Sequence, residues 1–153
     1  MAGDVPPPPK PSGAAMLTWT LPPGWSQTLA GGMRYATLKA PGEANLDISV
    51  VVLAGSAGGE LANVNRWRSQ LGLPPLSEEA LPSARKSLPT SAGNVSLFDF
   101  TGEGVQRSRL AAGLLESNDN SWFFKMTGDA QAVTKAMPQF LQLLRSLHAA
   151  APN

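Results

Sequence analysis

The chain has 153 residues, a formal charge of +1, no cysteine and a single histidine, His148. These counts exclude cysteine nucleophiles, disulfides, iron–sulfur clusters and the thiolate or multi-histidine sites that hold zinc. The near-neutral charge argues against a nucleic-acid or anionic-membrane surface, and the low share of charged residues (15%) beside 15 Gly and 14 Pro suits a strand-rich domain with many turns.

Residues 1–15 read MAGDVPPPPKPSGAA and show no apolar periodicity. Such a segment cannot bury enough surface to offset its ordering entropy, and its prolines favour extended polyproline II. It lacks the basic start and apolar run of a signal peptide. The expectation is a disordered proline-rich leader or spacer over 1–15, then one domain over 16–150.

Leu17–Leu21 alternates apolar and polar residues as a strand does, and Pro22-Pro23-Gly24 breaks it. Met33–Ala40 is a second strand, ended by Pro41-Gly42. Leu46–Leu53 is a third, and its apolar close (Val50-Val51-Val52-Leu53) suggests a central strand covered on both faces. That run is far too short to cross a bilayer. Gly58-Gly59 yields to a helix over Glu60–Leu71, stopped by Gly72 and Pro74-Pro75. A long loop runs from Leu73 to Asn94, with a helical turn allowed at 77–81.

Val95–Phe100, Ser108–Glu116 and Trp122–Thr127 read as strands. The last two are joined by Ser117-Asn118-Asp119-Asn120, residues that tolerate left-handed backbone and suit a hairpin. Asp129 is placed to cap a final helix from Ala130 to about Leu147. Val133, Met137, Phe140, Leu141, Leu144 and Leu147 share one face of it. Pro138 should kink or divide that helix. The fold class read from this order is α+β, an antiparallel sheet of about six strands with two main helices packed on it.

Three stretches carry a family resemblance: Leu21-Pro22-Pro23-Gly24-Trp25, Asn63-Val64-Asn65-Arg66-Trp67-Arg68 and Trp122-Phe123-Phe124-Lys125-Met126-Thr127-Gly128. They resemble a group of uncharacterised, exported bacterial proteins. The strand and helix order over most of residues 17–148 is similar to the PsbP-like α/β/α sandwich, the fold of the photosystem II extrinsic protein and of a eukaryotic Ran-binding protein. The resemblance implies an assembly, docking or accessory role outside the cytoplasm. No catalytic motif travels with that fold, so no site residue is carried over.

The first helix has the most chemical character. At 100° per residue, Leu61, Val64, Trp67 and Leu71 share an arc, with Arg68 inside it, while Asn63, Arg66 and Gln70 form a separate polar strip. The plain reading of the strip is a solvated helix face. The sharper one is a partner-binding strip, in which Arg66 offers a planar fork to a carboxylate or phosphate. Arg68 is expected to lie along apolar neighbours and to form a structural ion pair with Asp47, Asp99 being the other candidate.

Other chemistry is thinner. His148 should serve the carbonyls and dipole at the end of the last helix. Trp122-Phe123-Phe124 with Lys125 is superficially similar to single-strand nucleic-acid binders. Consecutive strand residues face opposite ways, however, so core packing is the better account and no nucleic acid is expected as a partner. Gly55–Glu60 lacks the Lys-Ser/Thr of a P-loop and the spacing of a dinucleotide fingerprint. Neither a metal nor a cofactor is expected. The reading is a non-catalytic extracytoplasmic binding, docking or assembly module for a protein or envelope component. The alternative is a carboxylate-based hydrolase of a glycan or similar polymer, drawing on Asp47, Asp99, Glu103 or Glu116, of which nothing singles out two.

Overall fold

Alternating strands need a helix on each apolar face, and the chain supplies one for each. The structure, a computed structural model, describes residues 17–29, 34–42, 45–103, 107–117 and 119–149. The expected leader lies outside them. In chain order the elements are β1 (Leu17–Thr18), β2 (Ser26–Leu29), β3 (Arg34–Lys39), β4 (Asp47–Ala54), α1 (Glu60–Gln70), α2 (Leu81–Ala84), β5 (Lys86–Thr90), β6 (Gly93–Thr101), β7 (Ser108–Ser117), β8 (Asn120–Asp129), α3 (Ala130–Arg145) and β9 (His148–Ala149). Seven strands form one antiparallel sheet in the order β2-β3-β4-β8-β7-β6-β5, and β1 pairs with β9 beside it. The α+β reading, with two main helices on an antiparallel sheet, holds. The sheet has one strand more than the round number expected.

The apolar run of β4 and the aromatic run of β8 are neighbours at the sheet's centre, covered on both sides. Trp122, Phe124 and Met126 pack with Val133, Phe140, Leu143 and Leu144 of α3. Phe123 points the other way, to Val64 and Trp67 of α1 and Leu81 of α2, with Phe98, Phe100 and Leu110. Period-two alternation thus splits three consecutive aromatics between two cores.

Helix ends follow local chemistry. The Asp129 carboxylate accepts from the backbone N–H of Gln131 (3.0 Å) and of Ala132 (3.2 Å), so it caps α3 as its position predicts. At the end of α1, Leu73 N–H bonds the Arg68 carbonyl and Gly72 N–H the Ser69 carbonyl, with Gly72 at φ 76°. That is a Schellman closure, and it needs the glycine. Pro138 neither ends nor divides α3. It lies on the exposed side, where water can satisfy the carbonyl it leaves unbonded.

Four expectations are corrected. The strand read over Leu17–Leu21 pairs only at Leu17–Thr18; Trp19 and Leu21 leave the ladder yet still pack on the α3-side core. Ser26–Leu29 is a strand although all four residues are exposed, so it has no apolar rhythm to detect. The loop expected over Leu73–Asn94 contains α2 and β5, and β5 includes Pro89. Proline is tolerated there because β5 is an edge strand with a free side. Finally, α3 stops at Arg145 and His148 lies in β9, although its ring still meets the carbonyl of Ser146, the α3 C-cap, as expected.

Candidate functional site

Asp47, Ser49, Val51 and Leu53 alternate on β4 and share the face that α1 covers. Register sets Ser49 opposite Lys125, Asp47 opposite Thr127 and Val51 opposite Phe123. On the other flank Thr37 of β3 stands opposite Ser49, and Ala112 of β7 stands opposite Lys125. The face is therefore apolar toward α1 and polar at its β3–β4–β8 corner.

A β-bulge between Arg34 and Ala36 aims a further cation at that corner. The extra residue, Tyr35, turns to the opposite face, where it meets Trp19 and Trp122 edge-on. Arg34 pairs in register with Val51 and reaches Asp47 with both arms of its fork, at 2.9 and 3.1 Å, with a 3.3 Å bond to the Thr37 hydroxyl. The hydrogen bonds to Asp47 hold the Arg34 guanidinium above its ordinary pKa.

Lys125 is half-buried, and among the described residues it has no hydrogen-bond or ion-pair partner. Burial is the main cause pushing its ammonium below the usual lysine pKa. Asp47 pulls it back up, while the charges of Arg66 and Arg34 push it further down. A desolvated lysine flanked by two arginines and one carboxylate is a place where an added anion gains energy.

The polar strip expected on α1 is only partly assembled. Arg66 and Gln70 are exposed, and Arg66 stands within electrostatic reach of Lys125. Asn63 is buried at 1% exposure. Its amide nitrogen donates to the carbonyls of Ala57 (3.0 Å) and Gly59 (2.7 Å), and its Oδ1 is unpartnered. Asn63 lies only about 40° from Trp67 around the helix, and α1 is turned so that both face the sheet. It therefore binds the preceding loop and cannot greet a partner.

The expected Arg68–Asp47 ion pair is not formed. Asp47 is taken by Arg34, and Asp99 by Arg109, whose Nε and Nη2 donate at 2.8 and 2.6 Å. Arg68 does lie along an apolar neighbour, its guanidinium carbon 4.9 Å from the Phe100 ring centre, and its Nε donates to the Pro74 carbonyl at 2.8 Å. No stranded carboxylate follows from its removal. Arg68→Ala should therefore cost about 1 kcal/mol, the scale of one exposed cation–π contact and one hydrogen bond. Arg66→Ala should stay below about 0.5 kcal/mol. Urea denaturation checks the order, and a loss of several kcal/mol for Arg68→Ala would point to a missed charge partner.

The acids of the hydrolase reading are not brought together. Asp47 is on the α1 face and Asp99 on the α3 face, each held by an arginine fork. Glu116 shares Asp47's face, yet their β8 partners are Ser121 and Thr127, six residues or about 20 Å apart. Glu103 is exposed beyond β6. One cleft of about 410 Å³ is lined by both Glu60 and Glu116. There Glu60 is bound by Arg85, at 2.9 Å to Oε2 and by a second bond to Oε1. Among the described residues no three His, Cys, Asp or Glu side chains cluster to hold a metal. His148 latches β9 to β1: its Nδ1 meets the Ser146 carbonyl at 2.8 Å, so Nδ1 carries the proton, and Nε2 meets the Thr18 hydroxyl at 2.7 Å. No helix of the described residues is long and apolar enough to cross a membrane.

No family model matches the sequence, and no curated protein does. Solved structures do match. LpqN, described as involved in cell envelope biogenesis of Mycobacterium tuberculosis, is 10% identical with a TM-score of 0.59, over 94% of this chain and 88% of that one. Cyanobacterial PsbP (CyanoP) from Synechocystis sp. PCC 6803 is 12% identical with a TM-score of 0.51, over 91% of this chain and 95% of that one. A Bacteroides thetaiotaomicron VPI-5482 protein is 8% identical with a TM-score of 0.54, over 88% of this chain but 45% of its own length. This chain thus spans under half of that protein. At such identities the likeness is one of fold: the chain has the PsbP-like fold, as the sequence resemblance implies.

Proposed function

We propose that the chain is a non-catalytic docking or assembly module that works outside the cytoplasm and holds a protein or envelope component at the polar corner of its sheet. The observation that carries the reading is the corner itself. Among the described residues Lys125 and Arg66 are cations without a bonded partner, set beside exposed Gln70, whereas Asp47, Asp99 and Glu116 stand apart and Glu60, which lines a cleft with Glu116, is bound by Arg85. The extracytoplasmic placement is supported by the PsbP-like fold, which the chain shares with a protein described as involved in cell envelope biogenesis. Residues 1–15 fit the part of a spacer.

The test is the double substitution Arg66→Ala, Gln70→Ala. Both side chains are exposed, so the unfolding midpoint should stay put while capture from an extract of the protein's own cell envelope falls. Unchanged capture would take the site away from α1. Turnover of an ester or glycan by the purified chain, abolished by Glu116→Gln or His148→Ala, would replace the docking reading with an enzyme.

A further inference from the structure

We infer that the polar corner of the sheet binds the phosphomonoester group of a water-soluble ligand, an inference that rests on the docking reading. The charges facing Lys125 are Asp47 of β4, Arg34 of β3 and Arg66 of α1; on β7 the nearest residues of this face, Leu110, Ala112 and Leu114, are apolar, and Glu116 stands further along, opposite Ser121. Arg34 and Asp47 neutralise each other through two hydrogen bonds. Two positive charges remain, on Lys125 and Arg66. A phosphomonoester carries about −1.5 to −2 at neutral pH and matches both, whereas a carboxylate leaves one uncompensated.

Donors match as well as charge. Lysine offers three N–H groups and arginine five, and those of Lys125 and Arg66 are not bonded among the described residues. Ser49 stands opposite Lys125 and is 3% exposed, and its hydroxyl makes no hydrogen bond among the described residues. Thr127, two residues along β8 on the same face, likewise makes no side-chain hydrogen bond among the described residues. Three phosphate oxygens can take up the ammonium, the fork and both hydroxyls.

The same burial separates a soluble phosphate from a lipid headgroup. Ser49 is nearly buried and Lys125 half-buried, so a phosphate must come close to the sheet to meet both, which a free ligand does more readily than a headgroup held in a bilayer plane. Leu29, the one large hydrophobic residue that is strongly exposed among those described, at 62%, stands opposite Ala36 and so belongs to the other face. No apolar anchor borders the corner.

The experiment is a ¹H–¹⁵N titration of the whole chain at pH 7.5 with glycerol 3-phosphate, and with acetate at equal ionic strength. Sedimentation with phosphatidic-acid vesicles is run in parallel. Saturable shifts at Ser49, Lys125, Thr127 and Arg66 with glycerol 3-phosphate are expected, and acetate should need about tenfold more. Lys125→Met keeps the apolar stem and Arg66→Gln is an exposed change, and each should weaken binding about tenfold. Shifts that never saturate, equal response to acetate, or affinity unchanged in both variants would each overturn the site. Co-sedimentation with vesicles to the same extent would overturn the soluble source. Loss of capture in the Arg66, Gln70 double variant without any phosphate binding would sink this inference and leave the docking reading standing.

Discussion

Trp67→Ala should cost about 3–5 kcal/mol of folding stability, the usual range for truncating a large buried aromatic. Trp67 is 2% exposed, and its ring centre lies 6.1 Å from that of Phe123 and 6.2 Å from that of Phe98. Only three α1 residues are fully buried, Asn63, Val64 and Trp67, so the helix's attachment to the sheet rests largely on this one side chain. Removing it leaves a cavity that a strand-backed site cannot collapse to fill. Denaturant unfolding monitored by far-UV circular dichroism measures the loss. A value below about 1 kcal/mol would show that α1 is docked by a different face.

Gly113→Val should be destabilising by about 1–3 kcal/mol, the range for forcing volume into a packed core. The sign is informative, because strand propensity alone favours valine over glycine in the middle of β7. Gly113 faces α3, however. A Cβ there would sit 3.0 Å from Val95 Cγ1 and 3.2 and 3.3 Å from the two Leu144 methyls. The missing side chain is what lets α3 lie close on the sheet, and two further methyls would lever the helix away. A thermal melt that rises, or does not move, would mean that α3 does not rest on β7 at this point.

Much of the architecture was legible because its signals are local. The alternation and apolar close of β4, the aromatic run of β8 and the apolar stripe of α3 each need only their own residues to be read. Asp129 and Gly72 act within a turn of where they stand. What escaped has no apolar rhythm or carries a contrary one. The four residues of β2 are all exposed, β5 contains Pro89, and β9 is two residues held to β1 across the chain.

The candidate site divides along the same line. Arg66 and Gln70 could be named because helical spacing alone puts them on an outer strip, and the sequence by itself determined that. The tertiary structure decided the rest. The turn of α1 against the sheet buried Asn63, which spacing placed beside them. The β3 bulge gave Asp47 to Arg34 and left Arg68 a carbonyl and a ring. The β4–β8 register set Ser49 against Lys125, a lysine that in sequence is only the polar end of an aromatic run. Helix periodicity is encoded within a few residues. Charge pairing and desolvation depend on which distant strands become neighbours, and a one-residue slip in that register would turn every one of these side chains to the opposite face.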